Sequence, residues 1–509
     1  MRIAQFAVGL SITCALGACA PVEDSNIARP GELSAATPQD QTDLDAVFAA
    51  ARLRGDRAQS ASEWLSRSAA RFESAAPRPA TQGASEGQAV QAITTTAIPF
   101  TAATFGQGVV TKDVEADSVV VFAAQPSPTA GGAPRIFGYT QLGGIPFEVA
   151  MPAGSPLNVP LRIVSVSSQR TGLFRTQGTL LLLDAVIQPA QLFDPLATSS
   201  FRVYEVSYSW SPANLVTPLA LSVTNTYTIA RNSNPPTMPP NGMVYPSGLT
   251  RLRDGSIAVG DEAGQLFVKK ANEPVFLPRF ANPFYGFGLN GPLSVRGRYW
   301  NGSANVVGDV SFLPPGPAPG VGFFPGHHDV QSVRGATASQ DRVCLVVGCG
   351  SNYSPTFELI PGCGPATGIS CVSADALLDD SISPLAKPIA PVLAGPGSEY
   401  IDGVAVVGQN LYYARGPADA GNVGCAYGNS IRRINLGAAS PTSELLYCDT
   451  SSFTRFNWTS GLAARQVLPG VTVVYAGQGQ EINSLAVNSL LTADRFTSQT
   501  ELGGLIVLN

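Results

Sequence analysis

One β-strand pattern recurs six times along this chain, and that recurrence limits what it can fold into more than any other feature. The clearest copy runs from residue 246 to residue 270, PSGLTRLRDGSIAVGDEAGQLFVKK. Two β segments, GLTRL and SIAVGD, meet at Asp254-Gly255, and a polar turn from Asp261 to Gly264 leads into a third, QLFVKK. Asp-Gly between alternating apolar residues is a strong hairpin signal, because glycine accepts the positive φ of tight turns. The segment reads as a three-stranded antiparallel meander. Such a unit has one buried face at best and needs partners to fold. Five similar strands supply them: SVVVFAA at 118–124, TLLLLDA at 179–185, VCLVVGCG at 343–350, NLYYARG at 410–416 and VTVVYAG at 471–477. Their central residues, with Ala258 of the meander, are Val121, Leu181, Ala258, Val346, Tyr412 and Val474, separated by 60, 77, 88, 66 and 62 residues. A four-stranded propeller blade needs about 40 to 50 residues, so these spacings fit blades with long loops. The last residues, GGLIVLN, read as a strand that completes a blade begun elsewhere in a ring. The expectation is an all-β protein, a six-bladed β-propeller, or a seven-bladed one if Ser294 to Leu313 forms its own blade.

Composition agrees. There are 52 glycines and 41 prolines in 509 residues, and charged residues make up 13%, about half the usual share. Many short strands and turns follow. A net charge of −5 leaves no basic footprint, which argues against nucleic acid as a partner.

The N-terminus speaks to compartment. Met1-Arg2 carries one positive charge, residues 3 to 16 are apolar, and Leu16-Gly17-Ala18-Cys19 follows at once, the layout of a signal peptide. The LGAC string resembles the lipobox of bacterial lipoproteins. That resemblance implies cleavage before Cys19 and acylation of its thiol and new amine, with two or more chains giving stable anchoring. Ala20 rather than an aspartate then implies the outer membrane, with the propeller in the periplasm or at the cell surface. The other reading is an ordinary signal cleaved near Ala20. No later run reaches the ~20 apolar residues a spanning helix needs.

Three segments are expected: signal peptide 1–18, a lipid-anchored tether 19–100 rich in Ala, Ser and Pro, and the propeller 101–509. The tether holds two helical patterns, Leu44, Val47, Phe48 and Ala51, then Trp64, Leu65, Ser68 and Phe72. The second helix has an apolar face that could dock on the propeller or on a partner. Short isolated helices are weak in water, so marginal order is expected. Pro77 to Ala97 reads as flexible linker.

Beyond Cys14 and Cys19 there are Cys344, Cys349, Cys363, Cys371, Cys425 and Cys448. An even number in an exported chain reads as three disulfides, with fifteen pairings open. Pairing Cys363 with Cys371 and Cys425 with Cys448 closes two surface loops and leaves Cys344 with Cys349, which requires Gly348 to turn the chain. The zinc alternative lacks paired CxxC spacing, and the chain has two histidines.

In a propeller the inner strand of each blade lines the channel, so polar residues entering inner strands converge at one mouth. The entries are Ser247-Gly248, Asp402-Gly403, Ser460-Gly461 and Gly326-His327-His328-Asp329, with Glu115 and Asp117 in the first blade. A ring of Glu115, Asp329 and Asp402 suits a hard cation such as calcium, magnesium or manganese. Ser247 and Ser460 are ligand-contact candidates. So are Tyr285 and Trp300, in the aromatic clusters FANPFYGFGLN and RGRYW, for which burial between blades is the competing fate.

The strings YIDGVAVVGQNLYYARG, NSIRRINL and PSGLTRLRDGSIAVGDEAGQLFV resemble blades of the senescence marker protein, gluconolactonase and luciferin-regenerating family, over residues 105 to 509. The resemblance implies a six-bladed propeller with one divalent cation at the channel mouth and lactone-opening activity. On it, Asp402 matches the metal-binding aspartate. Ser247 stands where the family has asparagine, and Glu115 takes the place of the glutamate by position alone. Hydrolysis would then use the cation to polarise a carbonyl and acidify a water, with His328 or Asp329 accepting the proton. No Gly-x-Ser-x-Gly elbow is present. Three functions stay open. One is a metal-dependent lactonase or esterase, and another is a non-enzymatic propeller binding a protein, polysaccharide or small ligand. The third is a quinone-dependent sugar dehydrogenase, which GHHDV and RVCLVVGCGSN resemble, without that group's Arg-Asn-Pro string. The sequence carries no signal for oligomeric state.

Overall fold

The computed structural model describes residues 37–73, 95–99, 113–125, 135–142, 144–150, 160–187, 198–230, 243, 246–261, 265–281, 293–300, 305–312, 325–349, 368–394, 401–415, 425, 429–449, 458–468, 471–479 and 504–508. Two helices, α1 (Pro38–Leu53) and α2 (Ala61–Glu73), precede strand β1 (Thr95–Pro99). Blade 1 holds β2 (Asp113–Ala116), β3 (Val120–Gln125), β4 (Arg135–Thr140) and β5 (Pro146–Ala150). Blade 2 holds β6 (Pro160–Gly172), β7 (Arg175–Ile187), β8 (Thr198–Trp210) and, after the short β9 (Leu219–Ala220), β10 (Ser222–Ala230). Blade 3 is β11 (Pro246–Arg251), β12 (Ile257–Asp261), β13 (Gln265–Lys269) and β14 (Leu277–Ala281). A hairpin of β15 (Leu293–Trp300) and β16 (Asn305–Phe312) follows. Blade 4 is β17 (Pro325–Val333), β18 (Arg342–Cys349), β19 (Gly368–Ser373) and β20 (Ile389–Ala394). Blade 5 is β21 (Ile401–Val407), β22 (Asn410–Arg415), β23 (Asn429–Asn435) and β24 (Ser443–Asp449). The last blade joins β25 (Trp458–Leu468) and β26 (Val471–Gly479) to β27 (Gly504–Leu508) and β1.

Apart from β5 and β9, neighbouring strands within each sheet are antiparallel, and the first strands β2, β6, β11, β17, β21 and β25 pack in that order and close back on β2. This is a β-propeller. It departs from a ring of equal blades. Five sheets are four-stranded, while blade 1 gains a fifth strand because β9 crosses from blade 2 and pairs in parallel with β5. The segment considered for a seventh blade forms the two-stranded β15–β16 hairpin instead. Ring closure follows the expectation for GGLIVLN: β27 lies between β26 and β1, with Ile506 opposite Ala97 and Ala476. Strands from both ends of the chain thus seal one sheet, the protection of edges that radial closure provides.

The six recurrent strands are all second strands, and their apolar runs have one cause. A second strand lies between two neighbouring blades, so successive side chains enter different cores. In β7, Leu180 and Leu182 join the core on the blade 1 side, while Leu181 and Leu183 join the core shared with blade 3. In β18, Val343 and Leu345 face blade 3, and Cys344 and Val346 face blade 5. In β22, Leu411 and Tyr413 face blade 4, and Tyr412 and Ala414 face the last blade. Each fully buried Leu or Val contributes about 1.5–3 kcal/mol. At the Asp254-Gly255 turn Gly255 has φ +91°, and the Asp254 carboxylate accepts from Ser256 N and Ser256 Oγ at 2.9 and 2.8 Å.

Two expectations are corrected. The first is the tether. Leu44, Val47, Ala51, Ala58, Trp64 and Leu65 are buried in the same core as blades 1 and 2. Thr37 caps α1 through a capping box with Asp40, whose carboxylate also accepts from Leu173 N at 2.9 Å. That bond holds the Asp40 carboxyl below its ordinary range. Asp43 takes two hydrogen bonds from Arg175, at 2.5 and 2.9 Å, and Trp64 lies 6.2 Å from Phe174 between ring centroids. The helices are ordered because the β6–β7 turn supplies what an isolated helix lacks. Thr95–Pro99, expected to end the tether, is a blade strand. The rest of the expected linker, 77–94, lies outside the described residues.

The second correction concerns cysteine pairing. Cys344 is bonded to Cys371, directly opposite it on the adjacent strand. Cys344–Cys349 and Cys363–Cys371 are thereby excluded. Pairing β18 with β19 brings together residues 27 apart in sequence, which loop-closure reasoning alone does not foresee. Cys425 is also disulfide-bonded.

Candidate functional site at the channel

Inner strands of a propeller diverge from one another, so side chains must join them where ladder hydrogen bonds cannot. Asp113 at the head of β2 accepts from Ile163 N of β6 at 2.8 Å and faces Arg162 Nη1 at 3.6 Å. Asp329 in β17 accepts from Val330 N at 2.8 Å through Oδ1 and from Val404 N of β21 at 3.1 Å through Oδ2. Gln331 Nε2 donates to Val404 O at 3.1 Å, Ser332 N donates to Thr250 Oγ1 of β11 at 2.9 Å, and Arg465 Nη1 of β25 donates to Ala116 O at 3.4 Å. These contacts staple β2 to β6, β11 to β17, β17 to β21 and β25 to β2.

Burial sets the electrostatics. It pushes the Asp113 carboxyl up to about 7; Arg162 opposes this and Asp329 adds to it. It pushes Glu115 up to about 8, where a backbone bond from Ser165 opposes and Asp113 adds. Glu115 keeps some accessible surface. Its Oε1 accepts from Ala116 N at 2.9 Å. Asp117 serves the turn instead. It is fully buried and receives Val119 N and Val120 N at 2.6 and 2.9 Å, Thr176 Oγ1 at 2.8 Å and the Tyr208 hydroxyl. These bonds fix the β2–β3 turn against blade 2.

The expected entries coincide with irregular pairing. Register shifts fall between Pro246 and Gly248, His327 and Asp329, Ile401 and Val404, and Thr459 and Leu462. Ser247, His328, Asp402-Gly403 and Ser460-Gly461 therefore occupy bulges at the starts of four inner strands. Bulges re-aim the chain and gather at barrel rims and active sites. Gly248 explains its own identity, since a Cβ there would stand 2.4 Å from Val330 N. Three of these entries surround Asp329: Gly248 packs on it, His328 precedes it, and Val404, two residues after Asp402, donates to it. Ser460 enters the last blade, beyond blade 5.

The side chains of Ser247, His328, Asp402, Ser460 and Trp300, and all of Cys19 and Tyr285, lie outside the described residues. Glu115 and Asp329 stand on two inner strands and each interacts electrostatically with Asp113, though among the described residues no three His, Cys, Asp or Glu side chains group as a metal site. Asp113, Arg162 and Arg465 escaped sequence reasoning. Their signal is a charge inside an otherwise apolar first strand, as in PLRIV and GLAARQV.

No known protein family and no curated protein matches the chain. Among solved structures it is similar to a glucose dehydrogenase at 11% identity and a TM-score of 0.35, over 82% of this chain and 99% of that one. It is also similar to a structural genomics protein of unknown function from Bacteroides thetaiotaomicron, at 8% identity and 0.37, over 82% and 76%. The Dos1 propeller is a third, at 8% and 0.30, over 77% and 71%.

Proposed function

We propose that this chain is an exported, lipid-anchored β-propeller whose channel mouth binds a small polar ligand of the cell envelope without turning it over. The observation that carries this reading is the set of bulges that bring Ser247, His328 and Asp402 to inner-strand starts around Asp329. Asp329 itself uses both carboxylate oxygens to hold Val330 and Val404. It acts as a framework for the mouth rather than as a ligand or base within it. Serine, histidine and aspartate at neighbouring strand bulges are residue types that suit hydrogen bonding to a sugar or another polyol.

Metal-assisted lactone or ester hydrolysis is the second reading. It is favoured by Asp402, which matches the family's metal-binding aspartate and sits at a bulge in β21. Calcium, magnesium or manganese would be held there by Asp402 with Glu115. Melting temperatures with envelope sugars, lactones and each cation, for the wild type and for Ser247→Ala and Asp402→Ala, separate the two. A sugar-dependent rise lost in both variants supports binding. A cation-dependent rise lost in Asp402→Ala alone supports the metal site.

A further inference from the structure

The end of α1 and the loop that follows it present an apolar tip among cations, one of which, Arg52, also lies 5.9 Å from the Phe48 ring centroid. Leu53 is 90% exposed, among the most exposed large apolar side chains described. Arg52, Arg54 and Arg57 flank it and are exposed as well. The one acid between them, Asp56, points to Ala58 N at 2.8 Å and to Arg67 at 3.4 Å. Beneath the loop, Ala51, Ala58, Trp64 and Leu65 are buried, so the tip is held on a fixed base.

We propose that this tip is a second membrane contact, placing Leu53 among the headgroups of anionic lipids while the three arginines meet their phosphates. The inference rests on the lipid-anchor reading of Cys19. Cys19 precedes the α1 cap, Thr37, by 18 residues, a stretch that spans at most about 60 Å when extended. The anchor therefore keeps the docked helices close to the bilayer. An apolar side chain ringed by cations complements an anionic interface, and acyl chains with a basic patch reinforce each other. A protein partner would call for apolar surface broader than one leucine.

The test uses the chain carrying Cys19→Ser, so that acylation does not dominate. Its partition is measured onto vesicles of phosphatidylglycerol and phosphatidylcholine in equal parts, and onto phosphatidylcholine alone. Salt-sensitive binding to the mixed vesicles is expected, weakened on the order of fivefold by Arg54→Gln and lost further with Leu53→Ser. Equal binding to both vesicles, no binding to either, or no effect of Leu53→Ser overturns the proposal. Unchanged melting shows that these exposed substitutions leave the fold intact. The anchor is tested apart, by the mass of the mature N-terminus of the wild-type chain: an unacylated terminus sinks the anchor reading whether or not the tip binds.

Discussion

Replacing Glu115 by glutamine should stabilise the protein, and increasingly so as pH rises. Burial raises this carboxyl from 4.5 to about 8 in the folded chain. The folded state thus holds the proton more tightly than the unfolded state. The contribution is fully present below about pH 4.5 and is lost as pH rises toward 8. At about 1.4 kcal/mol per unit the full loss would be about 5 kcal/mol. Glu115 is partly exposed, so solvent screening reduces this, and about 2–4 kcal/mol is the expected size. Glutamine cannot ionise, yet its carbonyl can still accept from Ala116 N. Asp113, raised to about 7, adds a loss of the same sign and is coupled to Glu115. The assay is urea unfolding of both proteins at half-unit steps from about pH 5 to about pH 8.5. The difference in stability should be small at the acid end and grow through neutrality. A constant difference, or a wild type that gains on the variant as pH rises, would refute the burial argument.

Three further outcomes follow from the same contacts. Asp329→Asn loses charge-assisted bonds to two backbone groups and sets an amide against one N–H, so about 2–4 kcal/mol should be lost in urea unfolding, equally with and without divalent cations. Trp64→Ala should cost about 3–5 kcal/mol and open the α1–α2 segment to limited proteolysis before the blades. Cys344→Ser with Cys371→Ser should lower stability by roughly 2–4 kcal/mol, and the same variant should show no further loss under mild reduction at that bond.

How much of the fold is legible in the sequence depends on the range of the interactions. The second strands, such as TLLLLDA and VCLVVGCG, are readable because burial on both faces leaves an apolar run in the sequence itself. The Asp254-Gly255 turn is readable because its chemistry is local. Docking of α1 and α2 is not, since Asp40 and Asp43 look like surface residues until Leu173 N and Arg175 are placed beside them. The Cys344–Cys371 bond depends on strand pairing across a long connection, and β1 looks like linker because its partner, β27, comes from the other end of the chain. The inner-strand entries Ser247-Gly248, Asp402-Gly403 and Ser460-Gly461 are legible from their polar-glycine pattern, since each falls on a register shift. The staples Asp113 and Arg162 are not, because their meaning comes from a neighbouring blade.

Binding without catalysis at the channel mouth is checked by turnover of a panel of lactones and esters by the purified wild type. The assay is run before and after chelation and with calcium, magnesium or manganese restored. No turnover above the Asp402→Ala background is expected under any condition. Hydrolysis that disappears on chelation, returns with a cation and is absent in Asp402→Ala would contradict a mouth that only binds.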